Sequence, residues 1–325
     1  MTTPDSDNTP PFVGRSNQTV EHLEGRICII TGGAGGIGSN LCRVFGEQGA
    51  KVVVADTGFD VEGRFGMDAS KVEAIVDEIR DAGGEAVPFV GDVADMDTAE
   101  RMVQTAIDEF GGLDVLVCAH GILRERMIFN MTEDEWDGLV RAHLKGCFAP
   151  TKFASIYWRA NREGQSRRII YFTSDAGIRG SAGQPNYSAA HAAKLGLMRS
   201  NVGALGRYGV TTNCIAPGAS TRMTDRGLGV DSSEPAPSES AAGTARDPKN
   251  VAPIVAWLAS DQSDAANGRI FGASGHRISL FSEPVLERYL HFDDNKIEID
   301  TLFDLWPHTL GAGGFPRNSI RPGLV

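Results

Sequence analysis

The chain has 325 residues, 41% of them apolar and 22% charged, with a formal net charge of −11 at pH 7. That size and balance suit a globular protein with a substantial core. The acidic excess argues against nucleic acid as a partner, because phosphate binding needs a basic face, and no apolar run approaches the roughly 18 residues of a spanning helix.

Residues 1–24 are rich in Pro, Asp, Asn and Thr and lack an apolar signal core, so they read as a polar tail. A cytoplasmic, membrane-free protein is the expectation. A strict alternation follows. Ile27–Thr31 is a short apolar run, and Gly36–Gln48 has helical spacing. Lys51–Ala55 is a second apolar run, and Ala69–Ala82 carries Val72, Ile75, Val76 and Ile79 on one helical face. Further strands are expected at Ala86–Val90, Val115–Cys118, Arg168–Thr173, Val210–Ile215 and Arg269–Phe271. Helices are expected at Asp97–Phe110, Glu133–Arg159, Pro185–Tyr208 and Pro248–Ser260. Near-continuous apolar strands alternating with amphipathic helices mean an α/β fold, a doubly wound parallel sheet covered on both faces. Residues 25–280 form one domain in this reading. Within it, 224–246 is rich in Gly, Ser, Pro and Ala and is expected to be a substrate lid. Residues 281–325 form a C-terminal extension whose aromatic residues, Phe281, Tyr289, Phe292, Phe303, Trp306 and Phe315, need a surface to cover. The five cysteines form no C-x-x-C pair, and Cys28, Cys118 and Cys214 sit in strand-like runs, so they read as reduced core thiols rather than metal ligands.

The first strand is followed by Thr31-Gly-Gly-Ala-Gly-Gly-Ile-Gly38, which opens the first helix. Missing side chains let a pyrophosphate approach the backbone, and the helix start offers free N–H groups. Asp56 closes the second strand, where it can accept hydrogen bonds from ribose hydroxyls and repel a 2′-phosphate. No Arg or Lys follows it directly, so NAD is expected rather than NADP. Ser174 follows the fifth strand and Tyr187 stands thirteen residues later, near the start of a helix. A hydroxyl that orients a carbonyl and a phenol that exchanges its proton are what hydride transfer requires.

These segments together resemble the short-chain dehydrogenase/reductase family over about residues 25–280. The resemblance is carried by Thr31-Gly32-x-x-x-Gly36-Ile37-Gly38, Gly91-Asp92-Val93, Leu113–Val117, Ser174, Tyr187, Asn213 and Pro217-Gly218. It implies a Rossmann domain, and a tetramer or other homo-oligomer. It also implies cofactor contacts from Asp92, Val93, Gly121, Pro217, Gly218 and Thr221. A finer resemblance is to the (3R)-hydroxyacyl-CoA dehydrogenase units of multifunctional enzymes and to actinobacterial dehydrogenases with C-terminal extensions. It rests on Val52–Gly63 and on His143-Leu-Lys-Gly146.

Three positions depart from the family pattern. The lysine expected one turn after Tyr187 is His191, the asparagine expected in the active tetrad is His143, and Asn-Asn-Ala-Gly is Cys118-Ala-His-Gly121. His191 and His143 are therefore expected to replace the Lys and Asn, with His120 beside them in a hydrogen-bonded relay and no metal. Lys194, a further turn along, is a second candidate for the missing lysine, unless it faces solvent or a phosphate. The expected function is an NAD-dependent interconversion of a secondary alcohol and a ketone. A bulky hydrophobic substrate is expected, such as a hydroxyacyl thioester, steroid or terpenoid alcohol. The alternative is a non-catalytic NAD-binding subunit of a hetero-oligomer, which the loss of the lysine favours.

Overall fold

A computed structural model describes residues 21–58, 62–63, 67–162, 166–227, 238, 240–292 and 297–313. The strands are β1 (Ile27–Thr31), β2 (Lys51–Asp56), β3 (Glu85–Val90), β4 (Val115–Cys118), β5 (Arg167–Phe172), β6 (Val210–Gly218), β7 (Ile270–Ser274) and β8 (Arg277–Leu280). They form one sheet in the order β3-β2-β1-β4-β5-β6-β7-β8. All neighbouring pairs are parallel except β7 and β8.

The period of two along a strand sends alternate residues into two separate cores. Cys28 and Ile30 of β1 and Val115 and Val117 of β4 pack on one face, under α1 (Gly36–Glu47), α2 (Ala69–Asp81) and α9 (Ala252–Ala259). Ile29, Leu116 and Cys118 point the other way, into α3 (Met96–Phe110), α5 (Gly146–Ala160) and α7 (Pro185–Leu205). Between these lie α4 (Glu133–Val140), α6 (Asp175–Arg179) and α8 (Arg222–Gly227). The chain reverses its winding between β1 and β4, and the crevice at their carboxyl ends is where open sheets of this kind bind ligands.

The doubly wound sheet matches the sequence expectation, with three differences. The helix expected over Glu133–Arg159 is split by a π-helical turn at Arg141–Lys145, which joins α4 to α5 and carries His143. β6 runs on to Gly218, so Pro217 and Gly218 lie in the sheet, paired with β7. β8 was not foreseen. It returns antiparallel after Ser274-Gly-His-Arg277, where Gly275 adopts φ +60° and allows the tight reversal.

At the N-terminal end, Leu23 is fully buried and its N–H donates to Gln48 O at 2.9 Å, so part of the segment assigned to the tail packs on the core. Of 224–246, residues 228–237 and 239 lie outside the described residues. In the extension, Phe281 packs against the second core and Arg199 pairs with Glu283 at 2.9 Å. α10 (Ile299–Leu305) follows. No described helix is long and apolar enough to cross a membrane.

Candidate active site

The cleft has a volume of about 330 Å³ and runs across the carboxyl ends of the central strands. Its wall includes Gly32, Gly36, Ile37 and Gly38 of the glycine turn, Asp56, Asp92, Val93 and Gly121 from the ends of β2, β3 and β4, and His143, Tyr187, His191, Pro217 and Thr221. Gly218 lies outside the wall, backed against the Ser274 side chain, where a β-carbon would not fit.

The glycines have separate tasks. Gly32 sits at φ +73°, and a β-carbon there would press within 2.7 Å of the His120 backbone. Glycine thus lets the end of β1 close against the end of β4. A β-carbon on Gly36 would crowd Thr221, which places that threonine directly over the start of α1. Asp56 is held rigidly: Oδ2 accepts from Ala34 N at 3.0 Å and Oδ1 from Gly58 N at 2.9 Å. Each carboxylate oxygen keeps capacity for a further donor. Asp92 accepts from Ala94 N at 2.9 Å and pairs with Arg141 at 2.5 Å, a partner that sequence reasoning missed because Arg141 comes from the π turn. Lys71, beyond the residue directly after Asp56, also lines the cleft.

Tyr187 stands in the first turn of α7, started by Pro185. Its backbone is clamped by Asn186, which is fully buried. Asn186 Oδ1 accepts from Tyr187 N at 2.7 Å, while Nδ2 donates to Arg124 O at 3.1 Å and Glu135 O at 2.9 Å. The side chain before the tyrosine therefore ties α7 to α4 and to the loop after β4. Its place next to Tyr187 was the only available signal in the sequence. Ser174 caps α6, accepting from Ala176 N at 3.2 Å. Burial pushes the Tyr187 phenol up to about 12; contact with the Ser174 hydroxyl pulls it back, and the Glu125 carboxylate adds to the rise.

The three histidines gather as expected, but not as a hydrogen-bonded relay. The ring centroids of Tyr187 and His191 are 4.0 Å apart, those of His143 and His191 4.6 Å, and those of His143 and Tyr187 5.2 Å, the last edge to face. These are ring contacts, and each imidazole finds its hydrogen bonds elsewhere or nowhere. His120 Nδ1 lies 2.6 Å from Thr31 Oγ1 and Nε2 3.1 Å from Ala142 O. Burial, with the charge of Lys194 second, pushes His120 down to about 3. His143 Nε2 donates to Ile122 O at 2.7 Å. His191 is 3% exposed and neither ring nitrogen has a partner among the described residues. Burial, then the Lys194 charge, holds His143 and His191 well below the usual imidazole range. Lys194 is fully buried, contrary to a solvated or phosphate-facing side chain, and does not line the cleft.

A buried imidazole with two unmet nitrogens on a cleft wall fits a ligand that brings hydroxyl groups to it. The glycine turn and the rigid Asp56 fit the remainder of a dinucleotide. Among the described residues no group of three or more His, Cys, Asp or Glu is placed to hold a metal ion.

Comparison with known proteins agrees with this geometry. A family model described as short chain dehydrogenase matches residues 26–227. A hydroxyacyl-CoA dehydrogenase of Mycobacterium tuberculosis is 38% identical, over 86% of this chain and 86% of its own. The peroxisomal multifunctional enzyme type 2 of Mus musculus is 36% identical over 77% of this chain, which spans only 31% of that enzyme. Among solved structures, a short chain dehydrogenase from Mycobacterium avium superposes with a TM-score of 0.75 at 37% identity. That match covers 91% of this chain and 97% of the other.

Proposed function

The chain belongs to the short-chain dehydrogenase family and is an oxidoreductase that interconverts an alcohol and a ketone with a nicotinamide cofactor; from that premise we propose that the cofactor is NAD and the substrate a hydroxyacyl thioester with a bulky acyl part. The observation that carries the reading is the Tyr187 phenol on the wall of the glycine-lined cleft, with the Ser174 hydroxyl against it from behind that wall. When bound, the nicotinamide donates or accepts the hydride. Tyr187 gives its phenolic proton to the carbonyl oxygen during reduction and takes it back during oxidation. Ser174 donates a hydrogen bond that orients the same oxygen. The glycine turn, Asp56, Asp92, Val93, Gly121, Pro217 and Thr221 would hold the dinucleotide, with Gly218 packed on Ser274 behind Pro217, and His191 would meet the nicotinamide ribose. His143 packs edge-on against Tyr187 and fixes its ring.

NAD is favoured because Asp56 presents a carboxylate where NADP carries its 2′-phosphate. Lys71 on the cleft wall tempers this preference but is already engaged with Asp68 at 3.4 Å. Calorimetric titration should give NAD a dissociation constant at least about tenfold lower than NADP, or roughly 1.4 kcal/mol. Asp56→Ala should narrow the gap; equal affinities in the unaltered protein would refute the assignment.

The thioester is suggested by the relatives, a hydroxyacyl-CoA dehydrogenase and a multifunctional enzyme. Residues 224–246 serve as the lid over its acyl part, and the protein acts in the cytoplasm as a homo-oligomer. A non-catalytic subunit is the reading that His191 favours, but such a subunit has no use for a paired Ser174 and Tyr187. Assay against a panel of 3-hydroxyacyl thioesters, steroid alcohols and their ketones separates the two. The catalytic reading expects thioester turnover in the wild type and none in Tyr187→Phe. An inert wild type that binds NAD and gains activity in His191→Lys would establish the non-catalytic one.

A further inference from the structure

Lys194 has no exposed surface, and among the described residues no carboxylate pairs with it. A buried ammonium without a counter-ion is costly, and a Met or Leu would fill the same space without that cost. Its hydrogen bonds indicate what the cost sustains. Nζ donates to Phe172 O at 2.8 Å and to His143 Nδ1 at 3.2 Å. His143 Nε2 lies 2.7 Å from Ile122 O and 3.1 Å from Ile122 N, contacts that call for opposite tautomers; with the ammonium donating to Nδ1, the ring proton sits on Nε2 and goes to the carbonyl. The chain of donors thus runs from α7 through the π turn to the loop that lines the cleft beside Gly121.

We propose that Lys194 is a positioning residue for this reaction: held by Phe172 O and donating to His143 Nδ1, its ammonium fixes the tautomer of His143, so the polar wall behind Tyr187 keeps one hydrogen-bonding pattern. The proposal deepens the catalytic reading of Tyr187 and rests on it for its functional meaning. A proton added to His143 Nδ1 would face the ammonium 3.2 Å away, donor against donor and charge against charge. His191, packed 4.6 Å from His143 between ring centroids, feels the same field. The other titratable groups that this ammonium acts on are His120 and the thiols of Cys118, Cys147 and Cys214, from β4, the loop after it, α5 and β6. Burial raises the Cys118 and Cys214 thiols; it acts the same way on Cys147, where the Cys118 hydrogen bond and the Lys194 charge outweigh it and lower the thiol, and the Asp92 carboxylate acts on His120. His191 therefore meets the ribose as a neutral ring, and Tyr187 receives no cationic help from it.

The experiment needs no substrate and so stays separate from the assay of the catalytic reading. The imidazole signals of isotope-labelled full-length protein are followed by NMR from pH 8 to pH 5. His143→Asn and His191→Asn assign the two rings against the surface rings of His22, His276, His291 and His308. Both buried rings should remain neutral to pH 5 in the wild type. In Lys194→Gln, which keeps a donor for Nδ1 but removes the charge, at least one should take up a proton with its midpoint raised by about one unit or more. Identical titrations in the two proteins, or either ring protonating above pH 5 in the wild type, would overturn the proposal. Should Lys194→Gln fail to fold, the ring nitrogen shifts of the wild type decide: a His143 proton on Nε2 supports the proposal and one on Nδ1 overturns it. A functional readout follows where turnover is available: ketone reduction in Lys194→Gln should fall about threefold or more between pH 7 and pH 5.5, relative to the wild type.

Discussion

At the scale of single residues the decisive quantity is the acidity of Tyr187. With neutral histidines around it, burial dominates and the phenol stands near 12, above the ordinary value of about 10. Alcohol oxidation needs the tyrosinate and reduction the neutral phenol, so the two directions should separate on the pH axis. Oxidation should still be rising at pH 9–10, while reduction runs at neutral pH. A lysine at position 191 would put a cation beside the phenol and stabilise the anion. His191→Lys should move the alkaline limb of oxidation down by about one unit, equivalent to roughly 1.4 kcal/mol. The field of Lys194 opposes a second ammonium, so the double variant with Lys194→Met should move it further. Steady-state pH profiles of kcat and kcat/KM test both, and an unshifted limb in the double variant would remove His191 from the vicinity of the reacting phenol.

At the scale of elements, the start of α7 is the most exacting join in the site. Asn186 meets one N–H and two carbonyls from three segments, which Gln184–Glu125 and Arg126–Glu135 join only in pairs. Asn186→Ala leaves these groups buried and unmet, at about 1–3 kcal/mol. It should lower kcat more than it raises KM, since the tyrosine loses its placement while the glycine turn is untouched. Thermal unfolding and steady-state kinetics measure the two effects, and a normal kcat in a destabilised variant would limit Asn186 to a structural role. Such joins mark where sequence reading ends. The β/α alternation, the glycine turn and the thirteen-residue step from Ser174 to Tyr187 are local patterns, and each was legible because its periodicity or spacing is physical. The π turn was not, since one inserted residue barely disturbs the apolar spacing of Glu133–Arg159. The burial of Lys194 was not either: α7 carries Ala and Gly around it, so no apolar stripe marks which face is buried. Ring hydrogen-bond partners depend on carbonyls from distant segments, so three clustered histidines read as a relay although they do not bond to one another.

At the scale of the whole molecule, the buried histidines link folding to pH. His120, His143 and His191 are held below their unfolded pKa of about 6.5. The unfolded chain therefore binds more protons than the folded one as soon as the pH drops under that value. Their contribution to stability is complete above about pH 6.5 and is lost progressively as the pH falls toward the folded values, near 3 for His120. Each ring contributes a slope of up to about 1.4 kcal/mol per pH unit in that window. Chemical denaturation at pH 7.5, 6.5 and 5.5 should show nearly equal stability at the first two and a clear loss at the third. His120→Asn should flatten the loss, and a stability that holds constant to pH 5 would show that these rings protonate freely in the folded state.

The same scale decides what the extension is for. Beyond Phe281, which packs on the second core, the described part of 281–325 leaves Val285 83%, Leu286 81%, Tyr289 78% and Phe303 72% exposed. β8, the strand that leads into it, is the open edge of the sheet and exposes Ile278 at 55% and Leu280 at 61%. An unpaired edge continuing into an apolar arm is a liability for a monomer and an asset for an assembly. We propose that a second copy of this chain covers both, which gives the expected homo-oligomer a physical cause. Light scattering should then return a whole multiple of the 34.7 kDa chain mass. A chain ending after Leu280 should dissociate to smaller species or aggregate through the bared edge, while Leu286→Asp and Phe303→Asp together should weaken the assembly without unfolding the domain. Both side chains are exposed and belong to neither core, so circular dichroism of the double variant should be unchanged. A monomeric mass for the full chain, or an assembly unaffected by both charges, would mean that the arm covers something other than its own kind.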